Sequence, residues 1–237
     1  MIKFFITGTS SGIGKALAEK ALAEGHLVTG FSRRHVIEHP NYKHVTIDLA
    51  NLADYHNIGF ECHKAVESVV LVNNAGTLGH VKPVAKLDPD RVDRSYRINV
   101  TAPTVMTHLF LDNLAECPYN KIVINISSGA GSFPIKGWST YCASKAAIDM
   151  FTEVLALDHP EVRCHAIAPG VVDTEMQGEI RRLTKSDFPD VDRFVEYKKN
   201  DELASVETVA AKLIQVIHKP EDYPEVRMSL RDVELDS

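Results

Sequence analysis

Short apolar runs of strand length alternate with longer stretches of helical period along the chain. Ile2–Ile6, Leu27–Phe31, Val45–Ile47, Val69–Val72, Ile122–Ile126, Val162–Ala168 and Val226–Leu230 are short, continuous and rich in Val and Ile. Strands buried on both faces of a parallel sheet have this character. Between the first two runs, Gly12–Ala23 places Ile13, Ala16, Leu17, Ala21 and Leu22 on one helical face, and Gly25 follows as a stop. Asp90–Asn99, Thr101–Ala115, Thr140–Leu157 and Val206–His218 carry the same period. Repeated β-α alternation predicts an α/β fold: a doubly wound parallel sheet of about seven strands with helices on both faces. No repeat or linker interrupts the pattern, so a single domain over residues 1–237 is expected. Residues 174–203 are mostly polar and break the alternation, and they are expected to form a lid of one or two short helices.

Composition narrows the class only a little. Of 237 residues, 44% are hydrophobic and 24% charged, an ordinary globular balance that builds a core without metals or disulfides. A net charge of −6, with Arg33-Arg34 and Arg181-Arg182 as isolated basic pairs, argues against nucleic acid. No run reaches the ~18 apolar residues of a membrane span, and Met1–Ile6 lacks the apolar core of a signal peptide. A soluble cytoplasmic protein is the expectation. Cys62, Cys117, Cys142 and Cys164 form no C-x-x-C motif and are expected to be free thiols. The eleven histidines include no H-E-x-x-H, and no Cys/His cluster has zinc spacing, so no metal is expected.

The first candidate chemistry follows the first strand. Gly8, Ser10, Ser11, Gly12, Ile13 and Gly14 form a glycine-rich turn that opens a helix. A dinucleotide pyrophosphate approaches the backbone closely, which a Cβ would block, and the helix N-terminus offers it unpaired N–H groups. An NAD site usually ends the second strand with an acid that bonds the ribose hydroxyls. Here that strand ends in Ser32, Arg33 and Arg34. Ser32 tolerates a 2′-phosphate and Arg33 can grip it with charge-assisted hydrogen bonds. The cofactor expected is therefore NADPH.

The second is a tyrosine and a lysine four residues apart, Tyr141 and Lys145, on one face of a helix. A phenol has a pKa of about 10, and bringing it to about 7 takes about 4 kcal/mol of differential stabilisation. A close ammonium and a positive nicotinamide are expected to provide it, so that Tyr141 exchanges a proton with a carbonyl oxygen. Ligands of open parallel sheets bind beyond the carboxyl ends of the strands. Ser127 or Ser128, at the end of the fifth strand, is well placed to touch a substrate oxygen there.

Taken together these motifs resemble the short-chain dehydrogenase/reductase family over nearly the whole chain. Thr7–Gly14 is similar to its T-G-x-x-x-G-x-G turn, and Asn73-Asn74-Ala75-Gly76 to its N-N-A-G element. Tyr141 and Lys145 are similar to its Y-x-x-x-K pair, Ser128 to its serine thirteen residues earlier, and Asn99 to its catalytic asparagine. Pro169, Gly170 and Thr174 resemble its P-G-x-x-x-T loop, while Asp48 and Leu49 match an adenine contact. The resemblance implies an NADP-binding reductase domain with Tyr141 as general acid, Lys145 beside it, Ser128 on the substrate carbonyl and Asn99 anchoring a water chain. It implies pro-S hydride transfer, and binding of the carboxamide by the loop from Ile167 through Val172 to Thr174. It also implies a homodimer or homotetramer, for which the helices from Thr101 and Thr140 carry Met106, Leu109, Phe110, Met150, Phe151 and Leu155. Lys136-Gly137-Trp138, Tyr141-Cys142-Ala143 and Pro169–Gln177 resemble the sepiapterin and benzil reductases of the family, which reduce a pterin side-chain ketone or one carbonyl of a vicinal dicarbonyl. Phe133, Trp138, Val172 and Met176 are the expected apolar wall for a flat substrate. Asp232 is a candidate for the acid that anchors the pterin in sepiapterin reductases. Two alternatives stand beside this reading. A sugar-nucleotide epimerase would carry an added C-terminal domain, and a non-catalytic NADP sensor would usually have lost the tyrosine or lysine.

Overall fold

The computed structural model describes residues 1–61 and 66–236, apart from the side chains of residues 56 and 57. Seven strands, β1 (Ile2–Thr7), β2 (Leu27–Ser32), β3 (Tyr42–Thr46), β4 (Ser68–Asn73), β5 (Asn120–Ile126), β6 (Val162–Ala168) and β7 (Arg227–Ser229), form one parallel sheet in the order β3-β2-β1-β4-β5-β6-β7. The order reverses between β1 and β4, which opens a crevice at their carboxyl ends. This is the predicted single-domain Rossmann-type sheet.

Both faces are sealed by apolar layers. Helices α1 (Gly12–Ala23) and α7 (Val206–His218) cover one face, where Leu17, Ala21, Leu213 and Ile217 meet Phe4, Val70 and Ile124. Helices α3 (Ala102–Asn113) and α4 (Ser139–Asp158) cover the other, where Met106, Phe110 and Leu155 join Phe5 and Phe31. Each of the larger side chains contributes roughly 1.5–3 kcal/mol on burial. The central strands therefore needed continuous apolar runs, and that is why they were legible.

Two elements differ from expectation. The third strand was expected at Val45–Ile47 but runs from Tyr42 to Thr46. It has a neighbour on one side only and is half-exposed, so Tyr42, Lys43 and His44 carry no apolar signal. The expected helix Asp90–Asn99 is α2 (Pro89–Tyr96), started by the Asp88 carboxylate accepting the Arg91 N–H at 3.0 Å. It does not stop before α3. A π turn over Arg97–Thr101 joins the two helices. Pro103 has no N–H for the Asn99 carbonyl one α-helical turn earlier, which favours the wider turn.

Residues 174–203 contain the two expected short helices, α5 (Glu175–Arg181) and α6 (Val191–Lys199). They are anchored through Phe188, which is fully buried and stacks on Trp138 at 5.1 Å. Lys82 pairs with Asp187 at 2.6 Å, and Lys198 with Asp173 at 2.7 Å. Cys142 and Cys164 are free, as expected. Cys117 is disulfide-bonded, which overturns the expectation there, and Cys62 lies outside the described residues. Among the described residues no helix is long and apolar enough to cross a membrane.

Candidate active site

The turn after β1 is fastened to the segment after β4. The Thr7 hydroxyl accepts the N–H groups of Asn74 and Ala75, each at 3.0 Å, and Asn74 Nδ2 donates to the Thr7 carbonyl at 3.0 Å. Gly14 sits so close beneath that a Cβ there would lie 2.5 Å from the Gly8 carbonyl oxygen. Gly12, at φ +59, adopts a backbone that side chains disfavour. Ser11 gives α1 no side-chain cap and the first turn holds no acid, so the helix N-terminus is left with open N–H donors for an anion.

Above this turn lies a cavity of about 1270 Å³. Gly8, Ser10, Ser11, Gly12 and Ile13 line its floor, with Asn74, Ala75 and Gly76 beside them and Pro169, Gly170, Val172 and Thr174 opposite. Gly14 lies below the floor and does not line it, since its task is the close packing of helix on strand. At one end stand Ser32, Arg33, Asp48 and Leu49. Ser32 is buried and donates to the Arg34 carbonyl at 2.9 Å, while Arg33 and Arg34 are exposed. Arg94, from α2, reaches across to Asp48 at 3.0 Å. An uncapped helix end, a glycine floor and two exposed arginines at the far rim fit a phosphorylated dinucleotide.

The other end gathers the expected reactive groups. Helix α4 carries Tyr141 and Lys145 one turn apart, both buried, with the ammonium 5.7 Å from the phenol ring centre. Lys145 Nζ donates to the Ile126 carbonyl at the end of β5 at 2.7 Å. Ser128, just beyond β5, lines the same end of the cavity as Tyr141, and its hydroxyl accepts the Ala130 N–H at 3.2 Å. Asn99, inside the π turn, does not line the cavity but stands behind it. Its amide donates to the Thr77 carbonyl at 2.8 Å and to Ser144 Oγ at 3.1 Å, and its oxygen accepts the Thr77 N–H at 2.9 Å. Gly76 lies between the two groups, since a Cβ built on it would stand 3.5 Å from Asn99 Oδ1 and 3.7 Å from Lys145 Nζ.

In the protein without cofactor, burial dominates the electrostatics of this end. Burial raises the Tyr141 phenol to about 12, and the Ser128 hydroxyl only partly opposes it. Burial likewise pulls Lys145 down to about 8, with Asp149 resisting. In the protein alone, desolvation sets the direction of both shifts. The phenol is therefore protonated at neutral pH, the state a proton donor needs.

Of the expected wall, Trp138 and Val172 are buried and Met176 half-buried along the cavity. Trp138 packs edge-on against Tyr141 at 5.3 Å. Phe133 lines the mouth but is 70% exposed. Leu78, Ile180, Phe194 and Tyr197 complete the wall and were missed, because three of them belong to the polar segment whose docking only the fold reveals. Arg193, Arg227, Arg231 and Asp232 also reach the cavity.

A parallel sheet with its crevice at the β1/β4 reversal, a glycine turn on a bare helix end, and a serine, tyrosine and lysine at the carboxyl edge define an oxidoreductase class. The short chain dehydrogenase model matches residues 3–185, and the chain belongs to that family. It is 38% identical over 238 residues to a benzil reductase ((S)-benzoin forming) of Bacillus cereus, covering 93% of this chain and 95% of that one. A sepiapterin reductase of Meriones unguiculatus is 38% identical over 159 residues, 66% of this chain and 60% of its own. Among solved structures, the KRED1-Pglu enzyme superposes with a TM-score of 0.83 at 27% identity, covering 96% of this chain and all of that one.

Proposed function

We propose that this protein is an NADPH-dependent carbonyl reductase of vicinal dicarbonyls, with Tyr141 as proton donor to the reduced carbonyl oxygen. The observation that carries the reading is that Ser128, Tyr141 and Lys145 line one end of a single cavity whose other side is an uncapped helix end on a glycine turn. Bound along the cavity, NADPH supplies the hydride. Ser128 and Tyr141 offer two hydroxyl donors to the substrate oxygen as negative charge develops on it. Lys145, held by the Ile126 carbonyl, keeps a positive charge beside the phenol as its proton leaves. Asn99, across Gly76 from Lys145, is placed to anchor a water chain that returns protons from solvent. Gly8 to Ile13 receive the pyrophosphate, Ser32 and Arg33 the 2′-phosphate, and Asp48 and Leu49 the adenine. The segments at Asn74–Gly76 and Pro169–Thr174 flank the rest of the cofactor. Trp138, Met176, Val172 and Phe133 form the apolar side that receives a flat substituent.

The full-length likeness to a benzil reductase favours a 1,2-diketone. Benzil-type diketones are expected to exceed simple aryl ketones in kcat/KM by at least about 10-fold, since the second carbonyl activates the first and its aryl group fills the apolar wall. Steady-state rates of NADPH oxidation across such a panel decide this, and equal rates for both classes overturn the dicarbonyl assignment. One observation favours a pterin instead: Asp232 at the cavity edge can accept hydrogen bonds from a ring amine.

A homodimer, or a tetramer built from it, accompanies this reading, in the cytoplasm where NADPH is regenerated. Of the residues first expected, Met106, Phe110 and Leu155 are spent on the core, with Leu109 and Phe151 packed against it, and Met150 stays exposed. Met150, Val154 and Leu157, spaced along one line of α4, are 60%, 45% and 81% exposed. Two such stripes facing across a two-fold axis bury each other. Val154→Asp is expected to halve the mass seen by light scattering, and a parent that is already monomeric at micromolar concentration contradicts the assembly.

A further inference from the structure

One buried acid beside the site has no part in the chemistry above. Asp149 follows Lys145 by one turn of α4, on the face that also carries Tyr141. Its side chain is 7% exposed. One carboxylate oxygen accepts the Ser127 hydroxyl, next in sequence to Ser128. The other lies 3.1 Å from Arg227 Nη2 on β7. Arg227 continues to Ser132 Oγ at 2.6 Å and to Glu153 at 3.5 Å. Three elements therefore meet on this carboxylate: α4, the segment 127–132 after β5, and the last strand. The packing is close, since a Cβ on Gly131 would lie 2.6 Å from Asp149 Oδ2. A buried carboxylate is costly unless it is paired and hydrogen-bonded, and this one is both.

We propose that Asp149, fixed by Arg227, is a positioning residue that straps the Ser128 segment to the helix of Tyr141 and Lys145 and supplies the counter-charge for Lys145. The inference rests on the reading of those three residues given above. Lys145 lies in a nearly closed setting. On its own helix the titratable neighbours are Tyr141, the free thiol Cys142, Asp149 and, further on, Glu153, while Arg227 reaches in from β7. From the segment after β4 and from the π turn it is faced by Gly76 and Asn99, which do not titrate. Burial lowers Lys145 to about 8, and Asp149 is the group that opposes this. Burial raises Asp149 itself, and Ser127 and Arg227 oppose that rise.

The sign of the pH effect follows. The Lys145 ammonium is present below its pKa and lost above it, while the phenol stays protonated to about 12. Lys145 therefore sets the alkaline limb of activity. Removing the Asp149 charge makes the ammonium harder to keep, so the limb moves to lower pH.

The test uses the full chain with NADPH and a 1,2-diketone, measuring kcat against pH, NADPH affinity by fluorescence titration, and thermal unfolding. Asp149→Asn is expected to lower kcat about 10-fold and to move the alkaline limb down by about 1 in pH, with NADPH affinity within about twofold of the parent. Arg227→Met is expected to lower kcat too, and the double variant to be no worse than Asp149→Asn alone, because the two act as one unit. Ser127→Ala, which keeps the carboxylate and its arginine, is expected to lower kcat with the limb in place, and it serves if Asp149→Asn does not fold. An unmoved limb in Asp149→Asn overturns the inference, whether kcat is unchanged or falls in step with stability and NADPH affinity. Additive losses in the double variant overturn it as well. A parent that reduces no carbonyl overturns the underlying reading, whereas an active parent with an indifferent Asp149→Asn overturns only the strap.

Discussion

Tyr141→Phe is expected to lower turnover by about 10²–10⁴-fold while leaving NADPH affinity within about twofold of the parent. The change removes one oxygen and keeps the ring. That ring is buried, packs edge-on against Trp138 at 5.3 Å, and lies 5.7 Å from the Lys145 ammonium, so the fold retains its contacts. The lost hydroxyl lies in the cavity with Ser128 and is the proposed proton source. The contrast also separates an enzyme from a sensor. A protein that only binds NADPH has no reason to respond to the phenol oxygen, whereas a reductase loses its donor.

Second in size is the cofactor preference. The double variant Arg33→Ala, Arg34→Ala is expected to reduce kcat/KM for NADPH by about 10²-fold and to leave that for NADH nearly unchanged, since one charge-assisted hydrogen bond is worth about 1.5–3 kcal/mol. Both arginines are exposed at the cavity rim, and no acid stands at the end of β2 to bond ribose hydroxyls. Ser32, buried behind them, leaves room for a phosphate. Arg94 does not substitute for the pair, because it is engaged with Asp48. Ratios of kcat/KM for the two cofactors in parent and variant check this, and a parent that prefers NADH contradicts the assignment.

What the sequence disclosed depends on the range of each interaction. Strands β1, β4, β5 and β6 are buried on both faces, so their continuous apolar runs located them to within a residue or two. Strand β3, at the edge, has no such constraint and was misplaced. The glycine turn and the Tyr141/Lys145 pair are local, and their spacing carried them. Asn99 was placed by resemblance, but the π turn that holds it was not visible, because one missing N–H at Pro103 does not mark where the ladder widens. The partners of Asp149 lie on separate elements, 22 and 78 residues away at Ser127 and Arg227, and no spacing rule connects them. The same holds for Phe188, which seals Trp138 from a segment that reads as polar. The depth at which Tyr141 is buried, which raises its phenol in the protein without cofactor, is likewise a property of the fold that a four-residue spacing does not disclose.

The most direct test is a single turnover in which enzyme preloaded with NADPH meets excess 1,2-diketone, with the loss of reduced nicotinamide followed by stopped flow. Here the parent should oxidise its bound NADPH in one fast phase, and Tyr141→Phe, equally loaded, should do so at least about 10²-fold more slowly. Equal rates in the two proteins would place the proton donor elsewhere and contradict the account.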